Sequence, residues 1–214
     1  MLTFLIYSPL FAQHSTGASV NLGAISSFNR SVDHYLIGFE KNAGLWYRYQ
    51  PTHAAFGLQT SLSFGLKNYV FRFEKNNAAL LKQNMVNTTV MASIKLNKNG
   101  AQLLAGFNAA LLTHSQTEFR YTGSNANYYY SDNNLNALQH SNTFQVDVCL
   151  ELDQGIGEKQ NFMVGLNVAQ NVNRILTADF KYIYHDTGGS LHYLQVSDNL
   201  CPLTASIVFR YKIK

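Results

Sequence analysis

The stretch "TFQVDVCLELDQ", residues 143–154, decides the fold class. Phe144, Val146, Val148, Leu150 and Leu152 alternate with Gln145, Asp147, Cys149, Glu151 and Asp153. A two-residue period puts successive side chains on opposite faces of a β-strand. One face is oily and the other polar. A soluble sheet buries the first and wets the second. A membrane barrel does the reverse, with lipid against the oily face and polar groups lining a closed interior.

The pattern recurs along the chain. In "AFGLQTSLSFGL", Phe56, Leu58, Thr60, Leu62, Phe64 and Leu66 share one parity; in "VNTTVMASIKLN", Val86, Thr88, Val90, Ala92, Ile94 and Leu96 do. "NFMVGLNVAQN" and "PLTASIVFRYKIK" follow the same rule. Residues 19–29, 44–50 and 101–114 are weaker members, interrupted by Ile25, Leu104 and Leu112; the segment 44–50 can be extended back to Tyr35. Eight strands result, most near the 9–11 residues that a tilted strand needs to cross a bilayer. No helical period competes with them.

Connections of two lengths alternate between these strands. Residues 51–54, 98–100 and 153–159 are short, and Asn99-Gly100 is a strong hairpin signal. Residues 30–43, 67–85, 115–140 and 172–202 are long. A hairpin barrel inserted in one direction has short periplasmic turns and longer outer loops, which produces this alternation. The charges agree. Arg48, Lys95, Asp147, Glu151, Arg210 and Lys212 all avoid the oily parity, as expected if a lipid-facing Arg or Lys costs about 2–4 kcal/mol at mid-depth. Tyr47, Tyr49, Phe56, Phe162 and Tyr211 gather near the short-turn end, and Phe28, Phe64 and Phe144 near the other, as two interfacial girdles. The competing architecture is a lipocalin-like soluble barrel, apolar inside, which eight strands also suit.

Composition supports a membrane surface. Only 13% of the 214 residues are charged while 46% are hydrophobic, against roughly 25% charged in an ordinary soluble domain. The net charge of +4 is scattered; without a Lys/Arg run that tracks phosphates, no nucleic-acid partner is expected. "MLTFLIYSPLFAQ" reads as a secretory signal over residues 1–12, with cleavage near Ala12 and the barrel occupying residues 13–214. It lacks a basic n-region, which allows a start further upstream. Cys149 and Cys201 fall on strands that should not be neighbours and are expected as free thiols.

The "FAQ" end of the signal, "GLWYRYQPTHAAFGLQTSLSFGLKNY", "VDVCLELDQGIGEKQNFMVGLN" and the closing "SIVFRYKIK" resemble small outer-membrane β-barrel proteins of the Bacteroidota, in character the PorT-like outer membrane β-barrel family. The resemblance runs from about Ser19 to the C-terminus. This chain departs from the pattern in "VNTTVMASIKL", which lacks a proline, and at Phe107, where the family often has Gly-Pro. The resemblance implies an outer-membrane barrel and brings no catalytic residues with it.

The expectation is therefore an all-β, eight-stranded antiparallel up-and-down transmembrane β-barrel in contact with outer-membrane lipid. Inside it, Arg48, Lys95, Asp147, Glu151, Arg210 and Lys212 would pair as a lumen charge network, either plugging a narrow barrel or forming an ion pathway. At the outer loops, Tyr128, Tyr129, Tyr130, Tyr182, Tyr184 and Tyr193 sit among Asn, Ser and Gly, an adaptable contact surface for a partner protein or glycan. "HDTGG" at residues 185–189 contains one Asp-Thr-Gly, but aspartic-protease chemistry needs two carboxylates sharing a proton. His185, Asp186, Ser190 and His192 share one segment without a Gly-x-Ser-x-Gly elbow. No zinc-ligand spacing or phosphate loop occurs, so neither cofactor nor metal is expected. The functional expectation is a non-enzymatic structural or accessory barrel; a lipid-modifying enzyme at the outer rim and a narrow solute channel are the alternatives.

Overall fold

The computed structural model describes residues 12–27, 35–52, 54–74, 77–97, 100–121, 138–140, 144–157, 160–173, 176–185 and 191–213. Residues 1–11, where the signal segment is expected, Phe28 and the tyrosines at 128–130 lie outside them. In chain order the strands are β1 (Ala12–Ser27), β2 (Tyr35–Pro51), β3 (Phe56–Glu74), β4 (Asn77–Lys95), β5 (Ala101–Tyr121), β6 (Leu138–His140), β7 (Phe144–Ile156), β8 (Phe162–Asn171), β9 (Leu176–His185), β10 (Leu191–Leu200) and β11 (Leu203–Lys212). Eight of them close a barrel in the order β1-β11-β8-β7-β5-β4-β3-β2, and β10-β9-β6 form a separate three-stranded sheet. Every pairing is antiparallel, and the ring shuts where Gly17 pairs Lys212 and Ser26 pairs Leu203. Closure leaves no edge strand, the condition for a sheet in lipid.

The alternation settles which face meets what. Leu45, Phe64, Phe107 and Leu166 point outward and are 60–67% exposed, whereas Gln59, Gln83, Gln145 and Asp153 point inward and are 0–2% exposed. A water-soluble barrel of the lipocalin kind has the opposite arrangement. Phe56, Tyr47, Phe162 and Tyr211 face outward at the short-turn end, and Phe64 and Phe144 toward the other. At the short-turn end, Gly100 (φ 87°) and Gly157 (φ 79°) take the left-handed conformation that two of the turns require.

The strands are longer than the alternation indicates. β2 begins at Tyr35, and the segment 67–85, expected as a loop, is strand up to Glu74 and again from Asn77. β5 likewise runs to Tyr121, and the segment 172–202 contains β9 and β10. The cause is water. Beyond the bilayer the outer face tolerates polar residues, so Lys41, Arg72, Lys82 and Asn84 all stand exposed there, and the contrast between the two parities fades. One bulge accompanies this transition: the register between β4 and β5 shifts at Asn84 and Met85, and the Thr113 hydroxyl donates to the Asn84 carbonyl at 3.0 Å.

β7, β8 and β11 stop at a common level, and side chains replace the ladder there. The Asn173 amide donates to the Phe144 carbonyl at 2.7 Å and its Oδ1 accepts the Val146 N–H at 3.3 Å. The Asn171 amide donates to the Val146 carbonyl at 3.0 Å, and its backbone N–H donates to the Pro202 carbonyl at 3.1 Å. Both cysteines are free; Cys149 is buried inside the barrel and Cys201 is exposed beside Pro202.

Candidate functional site

The barrel interior holds the groups with chemistry, and it is layered. Nearest the short turns, β2, β7 and β11 bring two arginines onto two carboxylates. Arg210 donates through Nη2 to Glu151 Oε2 at 2.9 Å and through Nη1 to Asp153 Oδ1 at 2.7 Å, with a further bond to Glu151 Oε1. Arg48 Nη2 donates to Asp153 Oδ2 at 2.8 Å, and Arg48 Nε donates to Gln59 Oε1 at 2.9 Å. β2 and β7 are four strands apart in either direction round the ring. The Arg48–Asp153 pair therefore spans the lumen. Glu151 and Asp153 share a face because they are two residues apart on one strand. Bidentate arginine bonds satisfy their oxygens, which makes burial of four charges tolerable.

Trp46 sits beside this cluster. Its indole Nε1 donates to the Ala18 carbonyl at 3.1 Å, and the Arg48 guanidinium stands 5.6 Å from its ring centre. Gly17 makes room for the ring: a Cβ there would lie 2.7 Å from the indole nitrogen.

Higher up, Lys67 Nζ lies 3.6 Å from both Glu40 Oε2 and Asp147 Oδ2. Asn21 donates to Glu40 Oε1 at 3.1 Å, and Asn108 and Asn171 donate to Asp147 at 3.2 and 2.9 Å. Between the two charge layers lies a polar chamber of about 70 Å³. The buried Oδ1 atoms of Asn87 and Asn167, which have no protein partner, belong to residues that line it; such a space has the size and polarity for water to serve them. Above the upper layer the lumen turns largely apolar, filled by Ile25, Leu36, Phe71 and Leu81 with Tyr69 among them, all nearly fully buried, and on β4 the buried Gln83 and Met85 face the same way. Leu104 also points inward, in a small group with Met91, Cys149 and Ala169. These inward apolar residues are the ones that interrupt the sequence pattern at Ile25 and Leu104.

Of the expected lumen charges, Arg48, Glu151 and Arg210 come together, and Asp147 lies in the upper layer. Lys95 and Lys212 do not join them. Both stand at the short-turn mouth, Lys95 exposed and Lys212 half-buried, in no ion pair among the described residues. Their positions near strand ends carry them past the floor of the lumen. Three charged members are missing from the expected network: Asp153, on the polar parity of the opening stretch but counted with a turn that β7 overruns, and Glu40 and Lys67, assigned to outer loops that are strand. Had the alternation been followed across the polar outward residues, Glu40 and Lys67 would have fallen on the inward parity too. The expected loop surface is also partly strand: Tyr182 and Tyr184 belong to β9 and Tyr193 to β10. His185 ends β9 and His192 lies in β10, while Asp186 and Ser190 fall outside the described residues. Among the described residues, no three His, Cys, Asp or Glu side chains form a group able to hold a metal ion.

A closed antiparallel ring, oily outside and charged within, defines a transmembrane β-barrel. Residues 11–178 match the family described as outer membrane protein beta-barrel domain, and the chain belongs to that family; its place is the outer membrane. Among solved structures it is similar to Ail, the attachment invasion locus protein of Yersinia pestis, at 12% identity and a TM-score of 0.46, over 94% of this chain and 99% of that one. It is also similar to the outer membrane protein OprG from Pseudomonas aeruginosa, at 11% identity and a TM-score of 0.36, over 92% and 97%. The outer membrane protease OmpT from Escherichia coli follows at 9% identity and 0.29, over 94% of each chain. Among curated proteins none matches this sequence.

Proposed function

We propose that this protein is a non-enzymatic outer-membrane barrel that stays shut and presents its long-loop end to a partner protein or glycan. The observation that carries this reading is the lumen. Arg48 and Asp153 bridge it at one level, Lys67 and Asp147 at another, and apolar side chains fill it above. Such an interior suits a rigid support better than a conduit. Meanwhile β2 to β5 carry strand well beyond the lipid band, which holds the outer segments at a fixed height. Deletion of residues 124–136 should abolish capture of a glycan or protein ligand by cells displaying the barrel, while heat-modifiable gel migration is retained. Undiminished capture overturns the reading, as do discrete conductance steps in planar bilayers.

Export by an N-terminal signal belongs to the same proposal, as does a place among the PorT-like barrels of the Bacteroidota. Purified outer-membrane material should yield a chain beginning at Gln13 on N-terminal sequencing. Retention of Met1 in that material would refute the signal.

A further inference from the structure

We propose that the outward face of β1, β2 and β3 seats one phosphorylated lipid of the outer leaflet, its hydrocarbon in a trough over Ala43 and its phosphate on Lys41.

The trough follows from side-chain size. Val20, Ala43 and Phe64 lie side by side on β1, β2 and β3, and Leu22, Lys41 and Leu66 do so one step nearer the long-loop end. Val20, Leu22 and Phe64 project outward and are 45–67% exposed. Ala43 offers only a methyl group, so the surface sinks between them into a groove of about 560 Å³. It opens on the lipid-facing side of a membrane barrel, where hydrocarbon meets it.

The long-loop end of the groove is polar. On β4 the outward residues pass from Val86 to Asn84, and on β5 from Leu111 to Thr113; Asn84 and Thr113 line the groove together with Lys41. Lys41 is exposed and is the only charged residue lining the groove among those described. It has no hydrogen-bond or ion-pair partner among the described residues. The nearby carboxylates are engaged elsewhere. Glu40, the next residue along, points into the lumen toward Lys67, and Glu118 is held by Lys82. Arg72 and Lys82, also exposed on this wall, add to the positive charge further out.

An ammonium group where hydrocarbon ends calls for an anion, and an anionic headgroup supplies one. A free anion makes no use of the apolar trough. An uncharged lipid fills the trough and leaves Lys41 unpaired. A phosphorylated lipid satisfies both at once. The seat is confined to one side of the barrel, because no outward residue of β7, β8 or β11 is charged.

The full-length protein in non-ionic detergent is titrated with dioleoyl phosphatidylglycerol, with phosphatidylcholine of the same chains and with glycerol phosphate, and bound molecules are counted by native mass spectrometry. A single phosphatidylglycerol should be retained per barrel. It should bind about fivefold more tightly than phosphatidylcholine, the ~1 kcal/mol that one lysine contributes at an anionic surface. Glycerol phosphate should not be retained. Lys41→Gln should remove the preference between the lipids. Ala43→Phe, which fills the trough and keeps the lysine, should weaken both lipids. Lys212→Gln, at the opposite mouth, should change neither. Each variant is first shown to be folded by heat-modifiable migration. Equal retention of the two lipids by the unaltered protein overturns the proposal. So does an unchanged preference in Lys41→Gln, undiminished retention in Ala43→Phe, or a loss in Lys212→Gln as large as that in Lys41→Gln. Glycerol phosphate held as firmly as the lipid overturns it too, as does a dimer of barrels that Ala43→Phe disrupts.

Discussion

The barrel has two unlike walls. β2, β3, β4 and β5 run 17, 19, 19 and 21 residues without a break. β7, β8 and β11 run 13, 10 and 10 and end together. At about 3.3 Å per residue, the second set matches a tilted crossing of the bilayer and the first greatly exceeds it. The difference lies in what each wall packs inward. The tall wall carries Leu36, Tyr69, Phe71, Leu81 and Met85, an apolar filling that rewards strand beyond the lipid. The short wall ends in the amides of Asn171 and Asn173, which complete β7's bonding where the ladder stops. Charge holds the barrel together within the membrane, and side-chain packing does so above it.

Five substitutions test that contrast. Arg210→Ala should have the largest effect. It leaves Glu151 and Asp153 buried with too few donors, a loss of about 3–5 kcal/mol, measurable by urea unfolding in micelles. A loss under about 1 kcal/mol would mean that the lower charge cluster does not hold the barrel. Next comes Leu150→Arg on the lipid face of the short wall, expected to cost about 2–4 kcal/mol. The same change at Ile37, also outward but beyond Lys41 on the tall wall, should cost far less; equal losses would place lipid against both. Asn173→Ala should cost on the order of 1 kcal/mol and speed amide exchange at Val146, with little change at Val90 on the tall wall. Lys82→Ala, which removes a pair with Glu118 at 2.8 Å on the outer surface, should cost no more than about 1 kcal/mol.

How much of this the sequence discloses depends on where lipid ends. Across the bilayer the parity is enforced by a heavy penalty, so Val148, Leu150, Glu151 and Arg210 could all be oriented by counting. Above it the penalty disappears. Tyr35, Ile37 and Phe39 face outward beside Lys41, while Leu36 and Phe71 face inward, and neither parity is purely oily. Strand there reads as loop, and Glu40 and Lys67 are missed with it. Asp153, on the polar parity from the start, was left out of the charge network for a different reason. It stands next to Gln154 and Gly155, which look like a turn, although β7 continues to Ile156. The short-turn mouth was not legible at all. It is formed by residues from β1, β2, β4, β5, β7, β8 and β11, and only the closure of the ring brings them to one place.

The two thiols, one walled in beside Met91 and Leu104 and the other bare next to Pro202, amount to a compass built into the chain. A maleimide too polar to cross a bilayer will tag Cys201 on intact cells only if that end looks out at the surroundings, and it will find Cys149 only once the cylinder has been melted. One reagent thus tells which way up the protein sits and whether it is still whole.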